Sequence, residues 1–217
     1  MKVKDIKNRV TLLNVAASLF MQIASVISAL IVPRLILETF GSSTNGLVSS
    51  ISQFLNYITL VEGGITGVIS ANLYKPLVDG DNKKLSSVLT TARSFYRKIG
   101  VLFIGYSVVL GVVYPFFVDT DYEYWYVFAL TLTLSIGLML QYMFSLTFTT
   151  LLNADKKVYI VAFTGTVLTI ANIILTLVVV NVYPDIIVLK FASAFLFVLQ
   201  PIFYGLYINK HYNIDWN

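Results

Sequence analysis

Long apolar stretches separated by short polar segments dominate the pattern of this chain. Six of them reach the roughly 20 residues that a helix needs to cross a bilayer. Because a chain in hydrocarbon must satisfy its own backbone hydrogen bonds, each stretch is predicted to be a helix. The predicted spans are about 11–37, 46–72, 99–118, 126–152, 158–182 and 186–208. The pattern therefore predicts an all-α integral membrane protein, with residues 1–217 forming a single membrane domain.

Basic residues are unevenly distributed among the segments that join these spans. If the spans alternate in direction, all of the 15 basic residues except Arg34 and Lys190 fall on one side of the membrane. Lysine and arginine in short loops mark the cytoplasmic side, so both chain ends are expected there. The first apolar run is longer than a signal-peptide core, so it is interpreted as a retained anchor. We expect a multi-pass protein of the plasma membrane.

The longest predicted loop, residues 75–98, is both basic and amphipathic. It begins with a turn at 79–82 of the kind that ends one helix and caps the next. Apolar residues then recur at helical spacing, with lysines and arginines on the other face. Such a helix suits the inner membrane interface, and a cytoplasmic helix packed on its neighbours is the alternative. Nearby tyrosines, including Tyr96 and Tyr204, are expected at the headgroup level of this boundary.

Composition narrows the possible functions. The chain is 57% hydrophobic and 12% charged, with a mean hydropathy of +0.80, whereas soluble domains carry about 25% charged residues. The net charge of +4 reflects membrane topology, so the bilayer is the expected partner and nucleic acid is not. The absence of cysteine excludes thiol chemistry, and the one histidine, His211, excludes a histidine cluster within one chain. No metal or cofactor is expected.

Polar residues follow helical spacing on the first two spans. Intramembrane polar side chains tend to face protein or a wet cavity, so these spans are predicted to line a shared interior. Packing of helices through small and polar residues is the alternative. A break at Gln200-Pro201 is expected to interrupt span six. The polar positions are Asn14, Ser18, Gln22, Ser25 and Ser28 on span one, and Ser49, Ser50, Ser52, Gln53, Asn56, Glu62, Ser70 and Asn72 on span two, which also has glycines at 63, 64 and 67.

Glu62 is the most costly residue in the predicted membrane region. It lies sixteen residues after Gly46, or about 24 Å along a helix, which places it in the inner half of the membrane. An intramembrane carboxylate suggests a proton or cation site used for coupling. A neighbouring break at Gly63-Gly64 favours a mobile site. The alternative is a protonated glutamate hydrogen-bonded to another helix, or one close enough to the inner edge to be wet.

Two other groups of residues have possible chemistry. Arg34 and Lys190 lie toward the outer ends of their spans, where they could bind an anionic head group or simply reach the outer headgroups. Asp119-Thr120-Asp121 matches the short acidic pattern of metal-dependent glycosyltransferases, although an ordinary acidic loop has the same composition. Among these residues no catalytic set is expected, so the protein is not predicted to be an enzyme.

Several runs resemble the polysaccharide repeat-unit (O-antigen or capsule, Wzx-type) flippases of the MATE-like multidrug/oligosaccharidyl-lipid/polysaccharide superfamily. The resemblance extends over essentially the whole chain, but the motifs are diffuse. It includes the basic start and the pairs Phe40-Gly41 and Gly46-Leu47. The other runs are Val61–Ile65, Leu73–Leu77, Asp79–Asp81 and Ser94–Ile99.

The resemblance implies a bacterial transporter that moves an undecaprenyl-diphosphate-linked oligosaccharide by alternating access. It further implies a six-helix N-terminal lobe, which would work with a missing second lobe or as a homodimer. Arg34, Lys190, Asn14, Gln53 and Asn56 are candidates for the cavity, with Glu62 for coupling. A drug or ion antiporter of the same fold is one alternative, and a membrane enzyme acting on a lipid-linked sugar is another. A membrane scaffold without transport activity is the third.

Overall fold

A computed structural model describes residues 3–118 and 122–216 of the chain. Helices make up 91% of it, and this part of the chain contains no strand, which confirms the all-α fold class. A five-residue π-helical turn, Gln141–Ser145, joins α4 to α5. The helices are α1 Val3–Asn56, α2 Ile58–Asp79, α3 Asn82–Phe117, α4 Tyr124–Leu140, α5 Leu146–Ala154, α6 Val158–Val182, α7 Ile186–Phe197 and α8 Leu199–His211.

Five helical stretches are long and apolar enough to cross a bilayer. The predicted span 46–72 does not form a separate stretch of this kind, because its first part continues α1 and the rest lies in α2, most of which is outside the five stretches. Large apolar side chains cover the outside, among them Leu30 and Val109 at 69% and 60% exposed. This surface suits lipid and indicates a membrane-embedded protein. The five stretches are Asn8–Leu60, Asn82–Phe117, Tyr124–Ala154, Val158–Val182 and Ile186–His211.

A break at Gly41 divides α1 into an N-terminal arm, residues 3–40, and a C-terminal arm, residues 42–56. Gly41 has φ +85° and ψ 172°, a backbone region that essentially only glycine adopts. Thr44, just beyond the break, donates a hydrogen bond to the Phe40 carbonyl at 2.8 Å and lies 2.6 Å from the Tyr122 hydroxyl. Both arms are therefore helical up to the break at Gly41. The sequence had predicted a loop between residues 37 and 46.

The basic segment 75–98 does not form a separate helix at the membrane interface. As predicted, α2 ends at Asp79, and the Asp81 side chain then caps α3 by accepting from the Lys84 amide at 3.0 Å. From there α3 runs without interruption into the membrane span. Its apolar face is buried against α2, α5 and α8 through Leu85 and Leu89. The structure thus agrees with the alternative of a helix packed on its neighbours.

Two further interruptions divide the apolar helices. The first is at Tyr57, between α1 and α2, where the Tyr106 hydroxyl donates to the Phe54 carbonyl at 2.7 Å. The predicted break at Gly63-Gly64 is wrong, since both glycines lie inside regular α2. The second interruption, at Val198, confirms the predicted break in the last span. Pro201 lies in the first turn of α8, and because it has no amide hydrogen it cannot make the helical hydrogen bond to the carbonyl of Phe197, where α7 ends.

The core consists of two clusters of buried side chains. One packs the C-terminal arm of α1 against α3, α4 and α7 and includes Ile51, Phe103 and Leu130. The other joins α2, α3, α5 and α8 at the basic end and includes Tyr204. Tyr96 and Tyr204 are both 0% exposed, so their rings are buried in the protein and do not face the membrane surface. Their rings fill the core, and their hydroxyl groups find partners on neighbouring helices.

Candidate functional site

Glu62 on α2 lies beside Tyr142, which belongs to the π-helical turn after α4. The carboxyl group and the phenol hydroxyl are within electrostatic reach of each other. Tyr142 is 1% exposed, and its hydroxyl oxygen has no hydrogen-bond partner of ordinary length among the described residues. The Glu62 carboxyl group is the nearby acceptor that this hydroxyl could use. Since π-helical turns often occur at functional sites, this pair is a candidate site.

The Tyr142 side chain is positioned by close packing against α3. Its ring lies 5.6 Å from the ring of Phe103. A Cβ atom at Gly100 would lie 3.0 Å from Cγ of Met143 and 3.5 Å from Cβ of Tyr142, so glycine allows the turn to approach. Because Gly100 is only two residues past Lys98, the Glu62–Tyr142 pair lies near the basic boundary of the membrane.

A chain of hydroxyl groups starts one helical turn from Glu62. Thr66 lies 2.9 Å from the Tyr96 hydroxyl, which lies 3.1 Å from Thr150 Oγ1. Thr150 donates to the Leu146 carbonyl at 2.7 Å. Since each hydroxyl has one proton to donate, Tyr96 donates to Thr150 and Thr66 donates to Tyr96. The chain links α2, α3 and α5 behind the carboxylate.

The π-helical turn and the break in the last span line the same cavity, of about 360 Å³. Gln141 and Ser145 come from the turn, whereas Gln200 and Pro201 come from α8. Gln200 donates to the Tyr204 hydroxyl at 2.9 Å. Interrupted helices at membrane depth are tolerated where they are buried in protein or line a cavity. The two irregular segments therefore meet at one cavity, whose lining combines these polar side chains with leucines and Phe197.

The second polar surface is the outward face of residues 42–79. Gln53 and Asn56 are exposed there. A Cβ atom at Gly63 or Gly67 would have nothing within 4 Å, so these glycines are not contacts between packed helices. The inward face is apolar, with Ile51 almost completely buried. A helix that faces lipid would instead carry apolar side chains on its outward face. We call the outward positions Ser49, Gln53, Asn56, Gly63 and Gly67 the polar face.

Asn14 has a structural role in addition to its place in the predicted polar stripe. Its side-chain amide donates to the Lys156 carbonyl at 2.7 Å and accepts from the Tyr159 amide at 2.9 Å. Tyr159 is in the first turn of α6, where backbone amides lack helical partners. Asn14 thus caps α6 from another helix and fixes α1 to the α5–α6 connection. Of the remaining stripe, Ser18 and Gln22 are exposed.

Arg34 and Lys190 lie in different surroundings. Arg34 is exposed on α1, and its Nε donates to Glu38 at 2.7 Å in an ion pair one turn along the helix. Lys190 is partly buried on α7, which packs against α4 and α6. No ion pair of the described residues involves Lys190. The structure therefore pairs Arg34 locally and gives no contact that joins it to Lys190 in one cationic surface.

The other predicted residues contribute no site. Asp119-Thr120-Asp121 lies outside the described residues. The ring of His211 stacks on Tyr207 at 4.1 Å, and its Nδ1 contacts the Tyr207 carbonyl at 2.9 Å. Within residues 3–118 and 122–216, no group of three acidic, histidine or cysteine residues is placed to hold a metal ion.

Sequence patterns did not reveal Tyr96, Tyr142 or the π-helical turn. Tyrosine is common at membrane boundaries, so its position near one does not distinguish a buried ring from an interfacial ring. The residues of the π-helical turn continue an ordinary apolar helix in sequence. The one available signal was Gln141, a polar residue within an apolar span.

Known proteins provide no further identification. No family model matches the chain, and neither a curated protein nor a solved structure matches it.

Proposed function

We propose that this chain is one lobe of an alternating-access transporter that moves a lipid-linked oligosaccharide across the bacterial plasma membrane. The observation that carries the proposal is the polar face, which points away from the core of the lobe at membrane depth. Exposed amides and hydroxyls are costly in hydrocarbon and require water, protein or substrate as partners. A polar path therefore runs beside the C-terminal arm of α1 and along α2.

The chemistry of the polar face supports a sugar-containing substrate. Amide and hydroxyl side chains both donate and accept hydrogen bonds, as sugar hydroxyl groups require. Exposed apolar side chains such as Leu60, 77% exposed, lie on the same helix and suit a lipid tail. An amphiphile with a sugar head and a polyprenyl-diphosphate tail would match both the hydrogen-bonding side chains and the apolar side chains. In this account six crossings form the lobe, and a second lobe or a second copy of the chain covers the path.

Reconstitution into lipid vesicles tests this proposal. Vesicles would contain a fluorescent undecaprenyl-diphosphate oligosaccharide, and a membrane-impermeant glycosidase would report how much of it becomes accessible. Transport is expected with the native chain and its natural partner lobe, and is expected to fail when Gln53→Leu and Asn56→Leu are combined. The matched control combines Val109→Leu and Val113→Leu on the lipid-facing side of α3. Equal rates in protein-free vesicles, or equal loss in both double variants, would contradict the proposal.

Glu62 beside Tyr142 favours a second candidate, an antiporter of drugs or ions. Here the carboxyl group would take up and release a proton or cation while the lobe changes conformation. Glu62→Gln should then abolish export of a cationic dye driven by an ion gradient, with normal protein levels. Dye export unchanged by Glu62→Gln would exclude this role and leave Glu62 a structural residue.

A further inference from the structure

A group of basic side chains lines a cavity where α3 enters the membrane. The cavity has a volume of about 470 Å³, and its walls include Arg93, Arg97 and Lys98 together with Ser94. None of these basic residues takes part in an ion pair of the described residues. Arg93 and Arg97 are close enough to repel each other. The cavity therefore concentrates positive charge that an anionic ligand can neutralise.

The C-terminal tail fixes the position of this charge. Trp216 lies against α3, with the guanidinium carbon of Arg93 5.2 Å from the centre of its ring. The ring also makes an edge contact with Phe148 at 5.8 Å. A guanidinium held on an aromatic face loses little freedom when it binds an anion. The one acidic residue of the described tail, Asp215, lines the neighbouring cavity.

Hydroxyl groups add hydrogen-bonding capacity to the same cavity. Thr90 lies one helical turn before Ser94, and both residues line it. The Thr90 hydroxyl oxygen is buried and has no hydrogen-bond partner among the described residues. Buried hydroxyls without a partner are uncommon, so this group suits a ligand that accepts hydrogen bonds.

The surroundings of the cavity identify the ligand as a lipid. Val101 lies one turn after Arg97, lines the cavity and is 61% exposed, and Leu102 beside it is also 61% exposed. The basic groups are therefore at headgroup height, directly next to a surface that faces acyl chains. A free anion would contact only the basic side chains, whereas a phospholipid would contact the basic side chains with its phosphate and the apolar surface with an acyl chain.

We propose that this cavity binds the phosphate of an anionic phospholipid in the leaflet that the basic loops face. Arg93 and Arg97 neutralise the phosphate, Ser94 and Thr90 donate to its oxygens, and one acyl chain lies along Val101. The site lies on a different surface from the polar face, so it does not depend on the proposed transport function.

Lipid binding to the purified chain in detergent tests this proposal, with native mass spectrometry as the readout. Phosphatidylglycerol is expected to bind more tightly than phosphatidylcholine, and the difference should shrink as salt increases. Combining Arg93→Gln with Arg97→Gln should weaken phosphatidylglycerol binding about thirtyfold, or roughly fivefold for each charge removed. The matched control combines Lys75→Gln with Lys84→Gln, which removes equal charge outside the cavity and should leave binding unchanged.

Equal binding of the two lipids, or equal losses of binding in both double variants, would overturn the proposal. Competition by millimolar pyrophosphate would also overturn it, because the site would then be assigned to a free anion. Circular dichroism checks that each variant is folded. Combining Arg93→Lys with Arg97→Lys keeps the charge and should retain most of the affinity.

Discussion

The hydroxyl of Tyr96 lies 2.9 Å from that of Thr66, so a completely buried ring on α3 is tied to the helix that carries Glu62. The same hydroxyl donates to Thr150 on α5. A single side chain thus connects three helices behind the candidate site. Tyr142 is buried to a similar degree, but its hydroxyl has no hydrogen-bond partner of ordinary length within residues 3–118 and 122–216.

These two tyrosines give a matched pair of substitutions. Tyr96→Phe should destabilise the protein by about 1–2 kcal/mol, because two hydroxyl partners lose their hydrogen bonds inside the core. Tyr142→Phe should be neutral or slightly stabilising, because the buried hydroxyl that it removes has no hydrogen-bond partner of ordinary length among the described residues. Thermal unfolding in detergent measures both. Equal destabilisation by the two substitutions would show that the hydroxyl chain does not hold the helices together.

Gly41→Ala should destabilise the protein by about 1–3 kcal/mol, because alanine is strained at φ +85° and ψ 172°. Nothing lies within 4 Å of the added Cβ atom, so backbone strain is the only cause. The control is Gly46→Ala, also in open space, where φ is not positive and alanine should stabilise the helix by up to ~1 kcal/mol. A neutral Gly41→Ala would mean that the break between the arms does not need glycine.

Asn14→Ala should cost about 1–2 kcal/mol, because the first turn of α6 loses its cap and the Lys156 carbonyl loses a donor. Gln22→Ala removes an exposed amide on the same helix and should change stability by less than ~0.5 kcal/mol. Unfolding curves of the two variants provide the comparison. If both behave alike, α1 is not attached to α6 through Asn14.

The C-terminal segment should lose stability at alkaline pH. Burial and a hydrogen bond to Asp155 raise the pKa of Tyr212. Burial lowers the pKa of Lys157, but its hydrogen bonds to Asp155 and Tyr212 outweigh this effect and raise it overall. A group with a raised folded-state pKa contributes fully below its ordinary pKa, about 10 for both residues, and less as the pH rises above it.

The test compares the wild-type chain with Tyr212→Phe from neutral pH upward. The wild type should be more stable by about 1 kcal/mol below pH ~9.5. Above pH ~10 this advantage should shrink, because unfolding releases the Tyr212 proton. A difference that stays constant across the whole range would show that Tyr212 is not held protonated by these contacts.

Much of the helical architecture could be predicted from the sequence. Apolar length identified the membrane helices, and Pro201 marked the break in the last one because proline has no amide hydrogen. The Asp79–Asn82 turn was readable from its glycine and aspartates. These features depend on local chemistry, so neighbouring residues were sufficient to predict them.

The candidate site depends on contacts between distant parts of the chain and was predicted only in part. Glu62 was identified from its charge, but its neighbour Tyr142 comes from a helix 80 positions later in the sequence. Asn14 was predicted to line a cavity, whereas in the structure it binds the carbonyl of Lys156 and the amide of Tyr159. Because both partners are backbone groups, no pattern of side chains in the sequence reveals these contacts. The interruption at Tyr57 likewise has no sequence signal, since neither proline nor glycine is present there.

The central claim is that the polar face borders a water-filled path, and thiol labelling tests it most directly. The native chain has no cysteine, so Gln53→Cys and Asn56→Cys can be labelled without background. In the intact membrane, a membrane-impermeant maleimide should modify both of these, but not Val109→Cys or Leu30→Cys, which face lipid. If the cysteines at positions 53 and 56 are as unreactive as those at 109 and 30, no aqueous path runs along the polar face.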